Sequence, residues 1–394
     1  MGLKTIKEAD LRSKRILMRA GFDVAIDKDG NIVDDTRIRE ALASIQYILK
    51  QKPKSLIILS HLGRPKGKPV EKLKLKNVAE RLAELINPKS QIQPSSRAQV
   101  EGNPKSRCPA NGGDAGSRTE ASGQIQISKS EIAIPQYEIA DNIYLLENVR
   151  FHPEEERNDA EFAKKLASLG ELFVFEAFSA AHREQASTTG IMDYLPSYAG
   201  LEMAKEVKEL TKLLGEVDYP YLLIVGGAKT EDKAPVIDSL KNKVDKILVG
   251  GRTSNLLHQE KKYQDDDRVV LNIDGINESK QVVKPDQDPM AALDIGPETI
   301  KLFRSEIVKA HTVLVVGPLG KIEEAAYANG TREIFSAAGD SNAYKVAAGG
   351  DTIKALKKFG LFDNFNFVSS GGGAALEFLA KGTLPAIQKL ENQK

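Results

Sequence analysis

A chain of 394 residues with 41% apolar and 28% charged content is long enough for two domains, each with its own core, and has the composition of a soluble globular protein. A formal net charge of +1 offers no bulk electrostatic reason to bind nucleic acid or a membrane surface, and a single cysteine, Cys108, rules out an internal disulfide and argues against a zinc–thiolate cluster. No apolar run approaches the roughly 18 residues of a membrane span and the first residues lack a signal-peptide core, so the expected location is cytoplasmic.

In chain order, short β-branched or leucine-rich runs alternate with helical patterns. Ile16-Leu17-Met18 reads as a strand, followed by a helical face at Ile38, Leu42, Ile45 and Leu49. Residues 56–59 form the next strand, with Val78, Leu82 and Leu85 on the helix after it. From about 88 to 130 the chain is rich in Ser, Gln, Pro, Gly, Asn and Arg and poor in large apolar residues. Such a stretch buries too little surface to offset its ordering entropy, so it reads as a disordered surface insertion; the alternative is a poorly patterned strand-and-helix unit around 125–134. Residues 143–146 and 172–175 are further strands, flanking a helix with Phe162, Leu166 and Leu169 on one face and Asn158 and Glu161 as its capping pair.

A helical pattern at Met203, Val207, Leu210 and Leu214 then reads as a connector. Beyond it, strands are expected at 222–225, 247–249, 269–271, 313–316, 345–347 and 367–369, and a helix starts at Pro297 with Ile300, Phe303 and Ile307 on one face. Continuous apolar runs fit parallel strands buried on both faces, and their alternation with helices predicts α/β architecture twice over.

Two kinds of residue gather at the ends of these strands. In the first half they are basic: Arg37, His61, Arg64, Arg150 and Arg183. Taken alone, Ser60-His61-Leu62-Gly63-Arg64-Pro65 is as well read as a solvated loop. Arg37, however, falls in the first turn of a helix, where the dipole disfavours a cation, so it is expected to answer to an anion. Converging arginines suit a carboxylate or phosphate through two-pronged geometry. In the second half the residues are glycines: Gly226-Gly227, Gly250-Gly251, Gly349-Gly350 and 371–373, which let backbone N–H groups approach phosphates at helix starts. Gly226 to Lys233 is not a Walker A loop, and no G-x-G-x-x-G follows a strand, which weakens a nicotinamide dehydrogenase reading. Asp351 either caps the helix after Gly350 or takes a magnesium ion near nucleotide phosphates.

These motifs, in this order, resemble phosphoglycerate kinase. The resemblance rests on residues 35–39, 60–67, 145–152, 181–183 and 226–233, and continues through 294–297, 317–320, 349–352 and 371–377, covering nearly the whole chain apart from the insertion. It implies two doubly wound parallel-sheet (Rossmann-like) domains joined by a helix. The expected division is 1–190 for triose phosphate, 191–373 for the linker helix and nucleotide, and 374–394 as a tail returning to the first domain. It implies Asp23, Arg37, His61, Arg64, Arg150 and Arg183 as ligands of 3-phosphoglycerate, and contacts to ATP or ADP from Gly227, Lys229, Lys233, Gly251, Gly317, Pro318, Glu323, Gly349, Gly350, Asp351 and Thr352. Asp351 would hold Mg2+, and Arg37, Lys233, Gly350 and Gly372 would serve the transfer step itself, which requires hinge closure. The expected partners are these small molecules alone, with a monomeric chain.

The pattern departs from the family at Gly21 and Asp23, where an aspartate and an asparagine are usual, and at Glu176, Ser179, Arg252, Val316, Lys321 and Ala348. These changes bear more on triose binding than on fold or nucleotide binding. The expectation is an active kinase with weakened triose affinity; the alternative is a silent nucleotide-binding homologue that acts through partners.

Overall fold

The computed structural model describes residues 2–87, 134–228, 233–263, 265–285, 287–288 and 290–393. The insertion expected at 88–130 and the nucleotide ligand expected at Lys229 lie outside the described residues. The chain divides into two compact units: a first of Thr5–Glu176 and Gln185–Leu201, and a second of Met1–Lys4, Ala177–Glu184 and Glu202–Lys394.

The first unit is built on β1 (Arg15–Ala20), β2 (Ala25–Ile26), β3 (Ile32–Asp34), β4 (Ser55–Leu59), β5 (Gln136–Ala140), β6 (Ile143–Leu146), β7 (Leu172–Glu176) and β8 (Ser197–Ala199). Its main sheet has the order β5-β6-β4-β1-β7-β8, parallel except for the antiparallel edge strand β5. Without β5 the parallel strands run third, second, first, fourth, fifth in chain order, the doubly wound arrangement. β1 is central, pairing Arg19 with Leu59 of β4 and Ala20 with Glu176 of β7, so the loops that leave these strands emerge side by side. Helices α1 (Thr36–Lys50), α2 (Lys76–Ile86), α3 (Pro153–Glu156) and α4 (Ala160–Ala167) complete it. α1 buries Ile38, Ala41, Ile45 and Ile48 and α2 buries Val78, Ala79 and Leu82, a face repeating every three or four residues that joins Ile16, Met18, Leu56 and Ile58 in one core. The expected cap of α4 shifts by one residue: the Asp159 carboxylate, not Asn158, accepts the Phe162 N–H at 2.9 Å, because Asn158 sits at φ 53°, outside the extended conformation an N-cap needs.

The second unit carries α5 (Leu201–Lys212) from Glu202 onward, then β9 (Tyr221–Val225), α6 (Ala234–Leu240), β10 (Lys246–Val249), α7 (Gly251–Gln259) and β11 (Val269–Leu271). After a small antiparallel sheet of β12 (Gly275–Ile276), β13 (Val282–Val283) and β14 (Asp294–Ile295) come α8 (Pro297–Ile307), β15 (Thr312–Val316), α9 (Asn329–Asp340), β16 (Tyr344–Ala348), α10 (Gly350–Phe359), β17 (Phe367–Ser369), α11 (Gly373–Lys381) and α12 (Pro385–Glu391). Its main sheet, β11-β10-β9-β15-β16-β17, is wholly parallel and again places the first strand in the middle. Every residue of β9 and β15 is buried, as the unbroken apolar runs require. The Ala181 carbonyl accepts the Ala386 N–H at 3.1 Å and Phe178 meets Phe378 edge-on at 6.2 Å, which ties 177–184 to α11 and α12.

Sequence reasoning missed the hairpin β2–β3, the edge strand β5, the short β8 and the small sheet β12–β14. All are strands of two to five residues, too short for a period to declare itself.

Candidate active site

In the first unit, the loops after β1, β4 and β6 meet at the carboxyl edge of the sheet, where doubly wound folds bind ligands. Asp23 is the hub. Its Oδ1 accepts the Gly63 N–H at 2.8 Å, its backbone carbonyl accepts Arg37 Nη1 at 2.6 Å, and its Oδ2 lies 3.7 Å from His61 Nε2 and 4.0 Å from Arg37 Nη1. The anion that Arg37 was expected to face at the start of α1 is therefore, in part, a residue of this chain. Arg150, 2% exposed, donates from Nη1 to the Gly63 carbonyl at 2.9 Å and lies 3.7 Å through Nε from Glu156. Asn148 braces the same loop by donating to the Leu62 and Leu73 carbonyls at 2.8 and 3.0 Å. Arg64 is exposed, next to Gly63. The structure thus brings Asp23, Arg37, His61, Arg64 and Arg150 to one corner. Arg183 belongs to the segment Ala177–Glu184, which groups with the second unit.

Beneath this corner lies Arg19, a residue that sequence reasoning passed over. It is fully buried, donating from Nη2 to His61 Nδ1 at 2.6 Å, from Nε to Ser187 Oγ at 2.9 Å, and from Nη1 to the Ala20 carbonyl. Burial lowers its pKa to about 10, opposed by the nearby Glu155 carboxylate, so it remains charged at neutral pH. Glu155, equally buried, accepts Ser187 Oγ at 2.6 Å and Ser187 N–H at 2.9 Å, and burial pushes its carboxyl upward despite the opposing Arg19 charge. The available signal was an arginine set among the apolar residues of a buried strand, with Arg15 at its start, which a helix-and-strand reading treats as noise.

One departure at the edge of this site has a structural explanation. Glu176, where the family pattern is shorter by one methylene, is buried and accepts the Ser44 hydroxyl; a Cβ at Gly200 would lie 1.9 Å from its Oε2. The longer side chain fits because position 200 has no side chain.

In the second unit, the loops after β9, β10, β15, β16 and β17 carry the glycines. Gly226 and Gly317 are packed backbone to backbone: a Cβ at Gly226 would lie 2.2 Å from the Pro318 carbonyl oxygen, and one at Gly317 would lie 2.3 Å from the Gly226 oxygen. Thr352 locks this floor, accepting the Gly317 N–H and donating to the Ala348 carbonyl, each at 2.7 Å. Thr253 donates from its hydroxyl to the Gly227 carbonyl at 3.0 Å, and Lys233 Cε would be 3.6 Å from a Cβ on Gly227, which lays that lysine over the loop. Gly350 and Gly373 differ in kind. Neither has a positive φ, and a Cβ on either meets nothing within 4 Å, so neither packing nor backbone conformation demands glycine there. At both positions the backbone is left open to close approach.

Asp351 does not cap α10, whose N-cap is Gly349 with no side-chain bond; its exposed carboxylate takes Lys354 Nζ at 3.0 Å. Glu323 is exposed on the loop that follows Gly320, and Lys321 pairs there with Glu324. The Glu206 carboxylate, buried on α5, accepts the Ser370 N–H at 3.0 Å and anchors the loop before Gly371. Of the departures from the family pattern, Val316 and Ala348 are buried strand ends, and Arg252 is exposed.

A sequence model described as phosphoglycerate kinase matches residues 6–107, 126–288 and 259–382. Among curated proteins, the phosphoglycerate kinases of Coprothermobacter proteolyticus and Dictyoglomus turgidum are 40% and 38% identical to this chain, covering 99% and 100% of each partner. The solved phosphoglycerate kinase of Coxiella burnetii superposes with a TM-score of 0.76 at 30% identity over 100% of both chains. That of Pyrococcus horikoshii, at 24% identity, shares the fold with a TM-score of 0.75 over 99% of this chain and 98% of its own.

Proposed function

The chain belongs to the phosphoglycerate kinase family, and from that premise we propose that its first unit binds 3-phosphoglycerate and its second unit ATP or ADP. Membership makes it a glycolytic phosphotransferase with a carboxyl group as acceptor, moving a phosphoryl group reversibly between 3-phosphoglycerate and ATP. The observation that carries the assignment of the acceptor is the corner where Arg37, His61 and Arg150 surround the Asp23 loop. That corner suits a small anion with two charged ends, because guanidinium forks pair with carboxylate and phosphate alike.

In this reading a carboxylate oxygen of 3-phosphoglycerate attacks the γ-phosphorus, the bond to the bridging oxygen breaks, and ADP leaves with those electrons. The protein forms no covalent bond. Its contribution is position and charge: Arg37 and Lys233 neutralise the transferring group, and the amides at Gly350 and Gly372 donate to its oxygens. Glu323 holds the ribose. Arg183 takes part in acceptor binding from its own segment.

Asp351 fits a magnesium ion that arrives with the nucleotide. Magnesium is commonly held by one or two carboxylates together with phosphate oxygens, not by an all-protein cage. Asp351 is one exposed carboxylate on the first turn of α10, and no group of three His, Cys, Asp or Glu suited to a metal occurs among the described residues. When bound, the ion supplies charge neutralisation along the phosphates.

The test is a coupled assay with 3-phosphoglycerate and MgATP. Turnover is expected; measurable nucleotide binding with no turnover would refute the assignment.

A further inference from the structure

The hydrogen-bond chain beneath the basic corner can run in one direction only. A guanidinium group has five N–H donors and no acceptor. Arg19 Nη2 stands 2.6 Å from His61 Nδ1, so that ring nitrogen accepts and carries no proton. A doubly protonated ring would set two donors against each other at that distance. The remaining proton of the imidazole is therefore on Nε2, the nitrogen that faces Asp23 Oδ2 at 3.7 Å beside Arg37. Arg19 has no freedom to turn away, being fully buried with Nε committed to Ser187 Oγ, whose hydroxyl is in turn committed to Glu155.

We propose that Arg19 is a positioning residue that holds His61 as the neutral imidazole protonated at Nε2, so that the ring presents a hydrogen-bond donor, and not a cation, to the bound acceptor. The inference deepens the reading of the acceptor site above and rests on it for the identity of the ligand. It has a specific consequence: His61 confers directional selection on the acceptor, while the attraction for its charge comes from the arginines.

The decisive measurement is nitrogen-15 NMR of the full chain labelled at its five histidines, with the His61 signals identified by their loss in His61→Gln. The expected spectrum shows one protonated nitrogen, Nε2, and one unprotonated nitrogen, Nδ1, at neutral pH. An imidazolium, or a proton on Nδ1, overturns the proposal. In Arg19→Met the ring is expected to sample both tautomers or to protonate, with KM for 3-phosphoglycerate rising about tenfold and kcat changing much less, as for one lost hydrogen bond to a charged group. Arg19→Lys, which restores a donor, is expected to recover the Nε2–H form. An unchanged Nε2–H signal in Arg19→Met would show that Arg19 does not set the tautomer. The two readings fail separately: a wrong tautomer in an active enzyme overturns this inference alone, whereas the expected tautomer in an enzyme without turnover supports it and overturns the assigned reaction.

Discussion

At position 23 a carboxylate stands where it can neutralise Arg37 and His61, the groups proposed to hold the acceptor. Its Oδ2 is 4.0 Å from Arg37 and 3.7 Å from His61. A second anion brought to about 4 Å from it meets a repulsion of about 1 kcal/mol even at the dielectric of bulk water. Asp23→Asn is therefore expected to lower the Kd for 3-phosphoglycerate about fivefold, and adding Gly21→Asp should tighten binding further. Calorimetric titration of 3-phosphoglycerate into each variant checks this, and an unchanged or weaker affinity in Asp23→Asn would count against the electrostatic account. The opposite logic applies at Gly350, where an added Cβ touches nothing and φ is ordinary. Gly350→Ala is expected to leave thermal stability unchanged or raise it, since alanine fits there without strain and reduces the freedom of the unfolded chain. The same variant should raise KM for MgATP at least tenfold. A stability loss with normal nucleotide affinity would show that glycine serves the fold there.

Some elements are fixed by contacts at their ends in addition to their buried faces. The Asp159 carboxylate closes the first turn of α4, so Asp159→Ala should cost about 1 kcal/mol in denaturant unfolding. The loops after β9 and β15 touch through bare backbone. Gly226→Ala would place a methyl group 2.2 Å from the Pro318 oxygen, with no flexible side chain to yield. The expected loss is about 3 kcal/mol, together with loss of nucleotide binding, because both loops belong to the same floor. A Gly226→Ala protein as stable as the parent would mean the loops separate at little cost.

The molecule has two units with separate cores, so its stability need not be a single two-state quantity. A pH-dependent share of the second unit's stability comes from Asp294. This carboxylate accepts the Gly330 N–H at 2.8 Å and the Ile295 N–H at 2.9 Å, fixing the start of α9, and burial raises its pKa to about 7. Between the unfolded value near 3.8 and the folded value near 7 the native state binds more protons than the unfolded one, so stability must fall as pH rises through that window. The expected total is about 4 kcal/mol. Asp294→Asn should flatten that slope in urea unfolding followed across the same range; a slope that persists in the variant would assign it to another group.

How far the fold could be read depended on the length and purity of each pattern. Ten of the eleven parallel strands announced themselves through their apolar runs, as strands covered on both faces require, and α1 and α2 did so through their three-to-four-residue spacing. The short strands β2, β3, β5 and β8 did not, since pairing partners decide such segments and partners are absent from a one-dimensional reading. The site divides along the same line. Residues with special chemistry at strand ends (Arg37, His61, Arg150 and the paired glycines) were legible because side-chain type and position after a strand suffice to suggest an anion site. Arg19 was not legible, because a buried charge has meaning only through what surrounds it, here His61, Ser187 and Glu155, brought from three distant stretches of chain. The linear order of residues thus determined two doubly wound sheets and the chemical character of each edge. Only tertiary packing decided that Asp23 would lean on Arg37 and His61, that Gly200 would make room for Glu176, and which nitrogen of His61 carries its proton, for each of these is set by distances across the sheet that no local spacing encodes.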